Sequence, residues 1–273
     1  EIKSLIYLYK STRVSNQILI IYLFKMQQER NYSIDLLKTI LAFLIVLHHS
    51  PSPFHDTMQP ITTCAVPTFF MISGFLIFRK EISFKRIMKN AIRIMKIFLG
   101  ALLIFYIWFW IRHEELYIPN FKDICLMVFA NNEPLSGHLW YLMAYAYALI
   151  VIAIFTLKGK MQYLKYIAII GLVLYFLFDI WHIYCNVPKY LTLVYCFRNF
   201  FFTAIPMMFI GSTVVDRNSI RTKTIAVWLI FFSICAWVEM NSFHVNHIAD
   251  VYFFTIPSVS YTHLRAHETG AYL

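Results

Sequence analysis

An acid, a cation and a histidine share one face of an apolar stretch near the start of the chain. In RNYSIDLLKTILAFLIVLHHS, positions 30–50, His49 follows Lys38 by eleven residues. At about 100° per residue, eleven steps return a helix to within roughly 20° of its starting face, about 16 Å along the axis. Asp35 lies within about 40° of the same line. Titratable groups inside an apolar span cost on the order of 3 kcal/mol each, so they usually face protein or water and mark function. The plainer alternative is that Lys38 snorkels to the headgroups and His49 rests at the interface. Three such groups on one face weigh against it.

The elements that must position these residues are membrane spans. Hydrophobic residues make up 60% of the 273 and charged residues 14%, against about 45–50% and about 25% in soluble globular chains. That composition describes a polytopic all-α bundle whose apolar side chains face lipid and one another. The formal charge of +10 sits in short loops between apolar runs, which is a topology signal rather than a nucleic-acid surface. Five cysteines (Cys64, Cys125, Cys185, Cys196 and Cys235) include no CxxC pair. They read as small apolar packers without a disulfide or metal framework.

Apolar runs of spanning length fall at 34–50, 61–78, 94–112, 138–157, 163–182, 200–215 and 224–239, and an eighth begins near 250. Cations concentrate in alternate connections. Loop 79–93 holds Arg79, Lys80, Lys85, Arg86, Lys89 and Arg93, and loops 158–162 and 216–223 are also basic, whereas 51–60 carries no cation. The positive-inside rule then places the N-terminus and the even-numbered connections in the cytoplasm. Segment 113–137 is expected outside, with FKDICLMVFA as a short helix lying on that surface. Asp35 and Lys38 thus belong to the cytoplasmic end and His48 and His49 to the outer end, an arrangement suited to moving a group across the membrane.

The ends are expected to be foreign to the domain. Residues 1–25 precede the first methionine, Met26, and read as a non-native leader. Residues 259–273 turn abruptly polar and resemble a translated adaptor. His263, His267 and Glu268 in that tail are therefore not expected to form a zinc site. Between the ends, 26–258 reads as one domain, truncated at its C-terminus.

Several motifs in order resemble the integral-membrane acyltransferases of the acyltransferase-3 type. The family's first helix carries Arg or Lys followed after ten residues by His, matched by Lys38 and His49. Arg30, Ile34, Asp35 and Leu37 match the pattern around that cation. Pro67, Phe69, Phe70, Ser73, Gly74 and Phe75 match the second helix. Arg86, Lys89 and Arg93 match the basic approach to the third, although Lys89 and Asn90 stand where arginine is common. HLWYL, from His138 to Leu142, is similar to a Trp-aromatic-Leu signature, and Pro206, Phe209 and Gly211 resemble a later Pro…Phe…Gly helix. Family members usually have about ten spans, whereas the apolar pattern here stops within the eighth.

The resemblance implies acyl transfer, commonly of acetyl from acetyl-CoA to a hydroxyl of an envelope glycan. Acyl-CoA and a glycan or glycolipid are then the substrates, with no bound cofactor or metal and no nucleic acid, in the bacterial cytoplasmic membrane. A weakly acidic alcohol needs a base, and the developing oxyanion needs stabilisation. Imidazole, with a reference pKa near 6.5, suits the first task at neutral pH. His49 is expected to be that base or a transient acyl carrier, and the residues leave both open. His48, about 80° off the Lys38 face, is expected to pack or orient its neighbour. Lys38 with Asp35 completes the catalytic set, and Arg86, Lys89 and Arg93 are candidate contacts for the CoA phosphates. Ser73 beside Gly74 fits close helix packing better than a nucleophile, and Trp140 and Tyr141 fit an interfacial anchor better than a sugar platform. A transporter or glycan flippase is the other class. It would carry repeats or Gly/Pro-broken helices near the midplane, and neither is evident.

Overall fold

The computed structural model describes residues 32–50, 62–131, 134–185 and 197–213. All the elements among them are helical. They are α1 (Tyr32–His49), α2 (Ala65–Phe78), α3 (Phe84–His113), α4 (Phe121–Ala130), α5 (Trp140–Leu157), α6 (Leu164–Cys185) and α7 (Ile205–Thr213). Short 3-10 turns over Gly137–Leu139 and Met161–Tyr163 lead into α5 and α6, and a π-helical turn, Phe200–Ala204, leads into α7. Among the described residues three segments, Phe84–His113, Gly137–Leu157 and Met161–Phe178, are long and apolar enough to cross a membrane. Ala65–Phe78 and Phe200–Thr213 are shorter apolar helices. The expected leader, the polar tail, the span at 224–239 and the eighth span lie outside the described residues.

The third helix differs from its expected bounds. It starts at Phe84 rather than near 94, so most of the basic connection is helix and only residues 81–83 are extended. Lys and Arg are good helix formers, and a 30-residue helix of about 45 Å carries those cations well beyond its apolar portion. The short helix expected at FKDICLMVFA is α4. Its start is set by a capping box. The Asn120 side chain accepts from the Asp123 backbone N–H at 2.9 Å, and the Asp123 carboxylate accepts from the Asn120 N–H at 3.1 Å, which satisfies two donors that a helix start leaves open.

At the centre is α2, apolar all round and buried on most of its surface, as expected of a helix enclosed by others. It packs most extensively on α7, while α3 packs on α5. The α2–α7 crossing depends on two glycines used reciprocally. A methyl at Gly74 would overlap the Met208 backbone, and one at Gly211 would overlap the Met71 backbone. Small residues let backbones approach this closely where lipid supplies no hydrophobic drive. That is the role expected for the Ser73–Gly74 pair.

On α1 the buried stripe is Ile34, Leu37 and Leu41, while Leu36, Ile40, Phe43 and Val46 are exposed. Lys38 and His49 both line open space beside that helix.

Candidate active site

The flank of α1 opens into two chambers, one near each end of the helix. At the His49 end a small pocket of about 60 Å³ is lined by His48, His49, Thr62, Trp140, Arg198 and Thr203. At the Lys38 end a larger cleft of about 590 Å³ is lined by Lys38, Lys80, Arg86, Asn90, Arg93 and Tyr145. Ser73 also faces this cleft. The two key residues of α1 therefore share a face but serve different chambers.

Histidine geometry dominates the smaller pocket. His48 Nδ1 lies 3.1 Å from Thr62 Oγ1, a hydrogen bond that holds the ring toward the start of α2. The His48 and His49 rings are T-shaped, with centroids 4.9 Å apart. A third imidazole meets them from a distant part of the chain, since His138 lies 4.3 Å from His49 at an interplanar angle of 42°. Phe105 of α3 stands 6.4 Å from His138 on another side. Within one helix, periodicity reports phase but says nothing of what lies opposite, so in the sequence His138 stands out only as part of HLWYL. Its signal there is its place two residues before the Trp140–Tyr141 pair.

Arg198 reaches this pocket from the turn that starts the π-helix. The Asn199 side chain accepts from the backbone N–H groups of Phe201 and Phe202 at 2.9 and 3.0 Å. Thr203 Oγ1 donates to the Phe197 carbonyl at 3.0 Å. Behind the turn, Gly171 of α6 leaves no room for a side chain, because a Cβ there would press on the Phe201 carbonyl. A π turn is a rare feature that gathers at functional sites. Here it fixes the backbone beside a cation in the histidine pocket. Trp140 is part of the same wall, which makes it a pocket residue as well as a member of an aromatic pair at the helix start.

The cleft collects positive charge. Lys38 Nζ lies 3.5 Å from Asp35 Oδ1, and each side chain is about a third exposed. Asp35 thus accompanies Lys38 and stands fourteen residues, about 21 Å of helix, from His49. The expected set of Asp35, Lys38 and His49 is not brought together as one constellation. Arg93 lines the cleft, as does Arg86, whose Nη2 also donates to the Ile77 carbonyl at 2.8 Å and the Lys80 carbonyl at 3.3 Å. Arg86 therefore closes the C-terminal end of α2, where carbonyls lack helical partners. Lys89 is exposed and is not among the cleft-lining residues. On α3 the cleft side follows positions 86, 90, 93, 94 and 97, and Lys89 lies roughly 85° from the middle of that face. Asn90 occupies the place, and Lys80 joins from the end of α2. Deeper in the cleft, Ser73 Oγ donates to the Phe69 carbonyl at 2.8 Å and is hydrogen-bonded to Tyr145. That hydroxyl serves its own helix and a neighbour.

Among the described residues no group of three His, Cys, Asp or Glu side chains is placed to hold a metal ion. One chamber gathers the cations Lys38, Lys80, Arg86 and Arg93, and the other sets the imidazoles of His48 and His49 beside Arg198. No curated protein and no solved structure matches the chain. A family model does. The acyltransferase domain of the acyltransferase-3 type matches residues 31–264, which takes in both chambers and every described element, and the chain belongs to that acyltransferase family.

Proposed function

We propose that the protein moves an acyl group, acetyl in the first instance, from acyl-CoA at the Lys38 cleft to a glycan hydroxyl at the His49 pocket. The observation that carries this reading is the pair of unlike chambers at the two ends of α1. Lys38, Lys80, Arg86 and Arg93 line one and His49 with Arg198 lines the other. Phosphates need cations, and Arg presents paired donors to them. The concentration of cations in the 79–93 connection supports a cytoplasmic cleft. The donor then enters from the cytoplasm and its thioester arm extends through the bundle toward His49.

At the pocket, an imidazole nitrogen of His49 accepts the proton of the acceptor hydroxyl as its oxygen attacks the thioester carbonyl. A C–O bond forms, the C–S bond breaks, and the CoA thiolate leaves and takes up a proton from the imidazolium. In the two-step variant the imidazole nitrogen attacks first, forming a C–N bond as the C–S bond breaks and the thiolate leaves. The hydroxyl oxygen then forms the C–O bond as the C–N bond breaks, and its proton passes to the thiolate. Arg198 is placed to stabilise the oxyanion common to both routes. Contact with the tilted His138 ring limits rotation of the His49 ring, which keeps the reacting nitrogen in place. The test is transfer of labelled acetyl from acetyl-CoA into envelope glycan by membranes of an expressing host. Transfer that depends on His49 supports the reading. Substrate movement across the membrane with no acetyl incorporation indicates the transporter class instead.

A further inference from the structure

One aromatic side chain stands between the two chambers. Along α2, Pro67 lines the histidine pocket and Ser73 lines the cleft. Phe70 falls three residues from each, on the same i, i+3 ridge. Along α5, Trp140 lines the pocket and Tyr145 the cleft, separated by about 7.5 Å of helical rise. The Phe70 ring centroid lies 6.3 Å from that of Trp140 and 6.3 Å from that of Tyr145. Phe70 itself is only 2% exposed. A wall residue of each chamber therefore contacts the same buried ring.

We propose that Phe70 determines which acyl chains reach His49. The inference rests on the reading above, in which the donor enters at Lys38 and reacts at His49. Protein interiors are packed as densely as organic crystals, so a thioester arm passes this point only by displacing the Phe70 ring or sliding along it. The acyl group then occupies the histidine pocket, whose volume is about 60 Å³. A cavity of about 150 Å³ holds benzene, so the smaller one has room for only a few heavy atoms. An acetyl group has three. Each further methylene must be placed against Trp140, which the buried Phe70 ring backs, and a methylene in an apolar pocket is worth about 10- to 200-fold in selectivity.

The test compares acetyl-CoA, propionyl-CoA and butyryl-CoA as donors, with membranes of the expressing host as the source of acceptor. Wild type, Phe70→Leu, Phe70→Ala and Phe70→Trp are measured, with His49→Ala as the blank. The ratio of kcat/KM for butyryl over acetyl is expected to rise about tenfold or more in Phe70→Leu and further in Phe70→Ala. It should fall in Phe70→Trp. Because the alanine variant removes a large buried ring, the leucine variant carries the decision if alanine does not fold. A leucine variant with wild-type abundance whose rates fall equally on all three donors would show that Phe70 only packs, and would overturn the inference. Failure of the underlying reading looks different, since wild type would then transfer no acyl group or His49→Ala would transfer as well as wild type.

Discussion

The imidazoles of His49 and His138 lie 4.3 Å apart, centroid to centroid, across two elements that meet only in the folded bundle. His49 ends α1, and His138 sits in the 3-10 turn that starts α5. Each ring restricts the other, and His138 thereby backs the His49 ring, which lines the pocket together with Arg198 and Thr203.

Replacing the two adjacent histidines should separate their roles. His49→Ala should lower acetyl transfer by about 10²–10⁴-fold, the usual contribution of a general base, while abundance in the membrane persists. His48→Ala should cost less, because that ring is held by Thr62 and acts on its neighbour. A near-wild-type His49→Ala beside an inactive His48→Ala would reverse the assignment.

His138 should tolerate another ring better than its removal. His138→Ala frees His49 to rotate and should reduce kcat by about tenfold with KM for acetyl-CoA unchanged, since a small misplacement of a reacting group is costly. His138→Phe should recover most of that loss by restoring the ring contact. Equal loss in both variants would mean that the imidazole nitrogens of His138, rather than its ring face, are what matters.

The cations of α3 should divide by position. Arg93→Ala should raise KM for acetyl-CoA severalfold without loss of thermal stability, because Arg93 lines the cleft. Lys89→Ala should leave KM unchanged. Arg86→Ala should also lower the melting temperature in detergent, since it removes bonds to the Ile77 and Lys80 carbonyls worth about 1 kcal/mol each. A KM effect for Lys89→Ala equal to that for Arg93→Ala would contradict the placement of the donor.

Gly74→Ala and Gly211→Ala should each destabilise the bundle by about 1–3 kcal/mol, the usual cost of overpacking. Both positions meet partner backbone, which cannot move aside as a flexible side-chain tip can. Gly100→Ala is the control, with open space where the methyl would go. Melting curves in detergent, read by intrinsic tryptophan fluorescence, give the comparison.

Orientation is tested by labelling. Leu116 is well exposed in the connection between α3 and α4, and a thiol introduced by Leu116→Cys in a cysteine-free background should react with an impermeant reagent added to intact cells. Reaction only after permeabilisation would put the cleft on the outer side and reverse the direction of transfer.

Much of this architecture was legible in the residues because it depends on local rules. Apolar runs of spanning length and a 3.6-residue period are properties of neighbouring positions, and among the described residues they predict helices close to those observed. The shared face of Lys38 and His49 follows from the same periodicity. The family motifs, read in order, reached the acyltransferase class that the family match shows. Tertiary structure decided the rest, because contact between distant segments leaves no local trace. It opened one chamber at Lys38 and another at His49, and it brought His138 against His49. It turned Lys89 away from the cleft that Asn90 faces. Phase along one helix limits which side a residue takes, but the identity of its neighbours depends on how helices cross. At the α2–α7 crossing, that angle and distance follow from the absence of a side chain at Gly74 and Gly211.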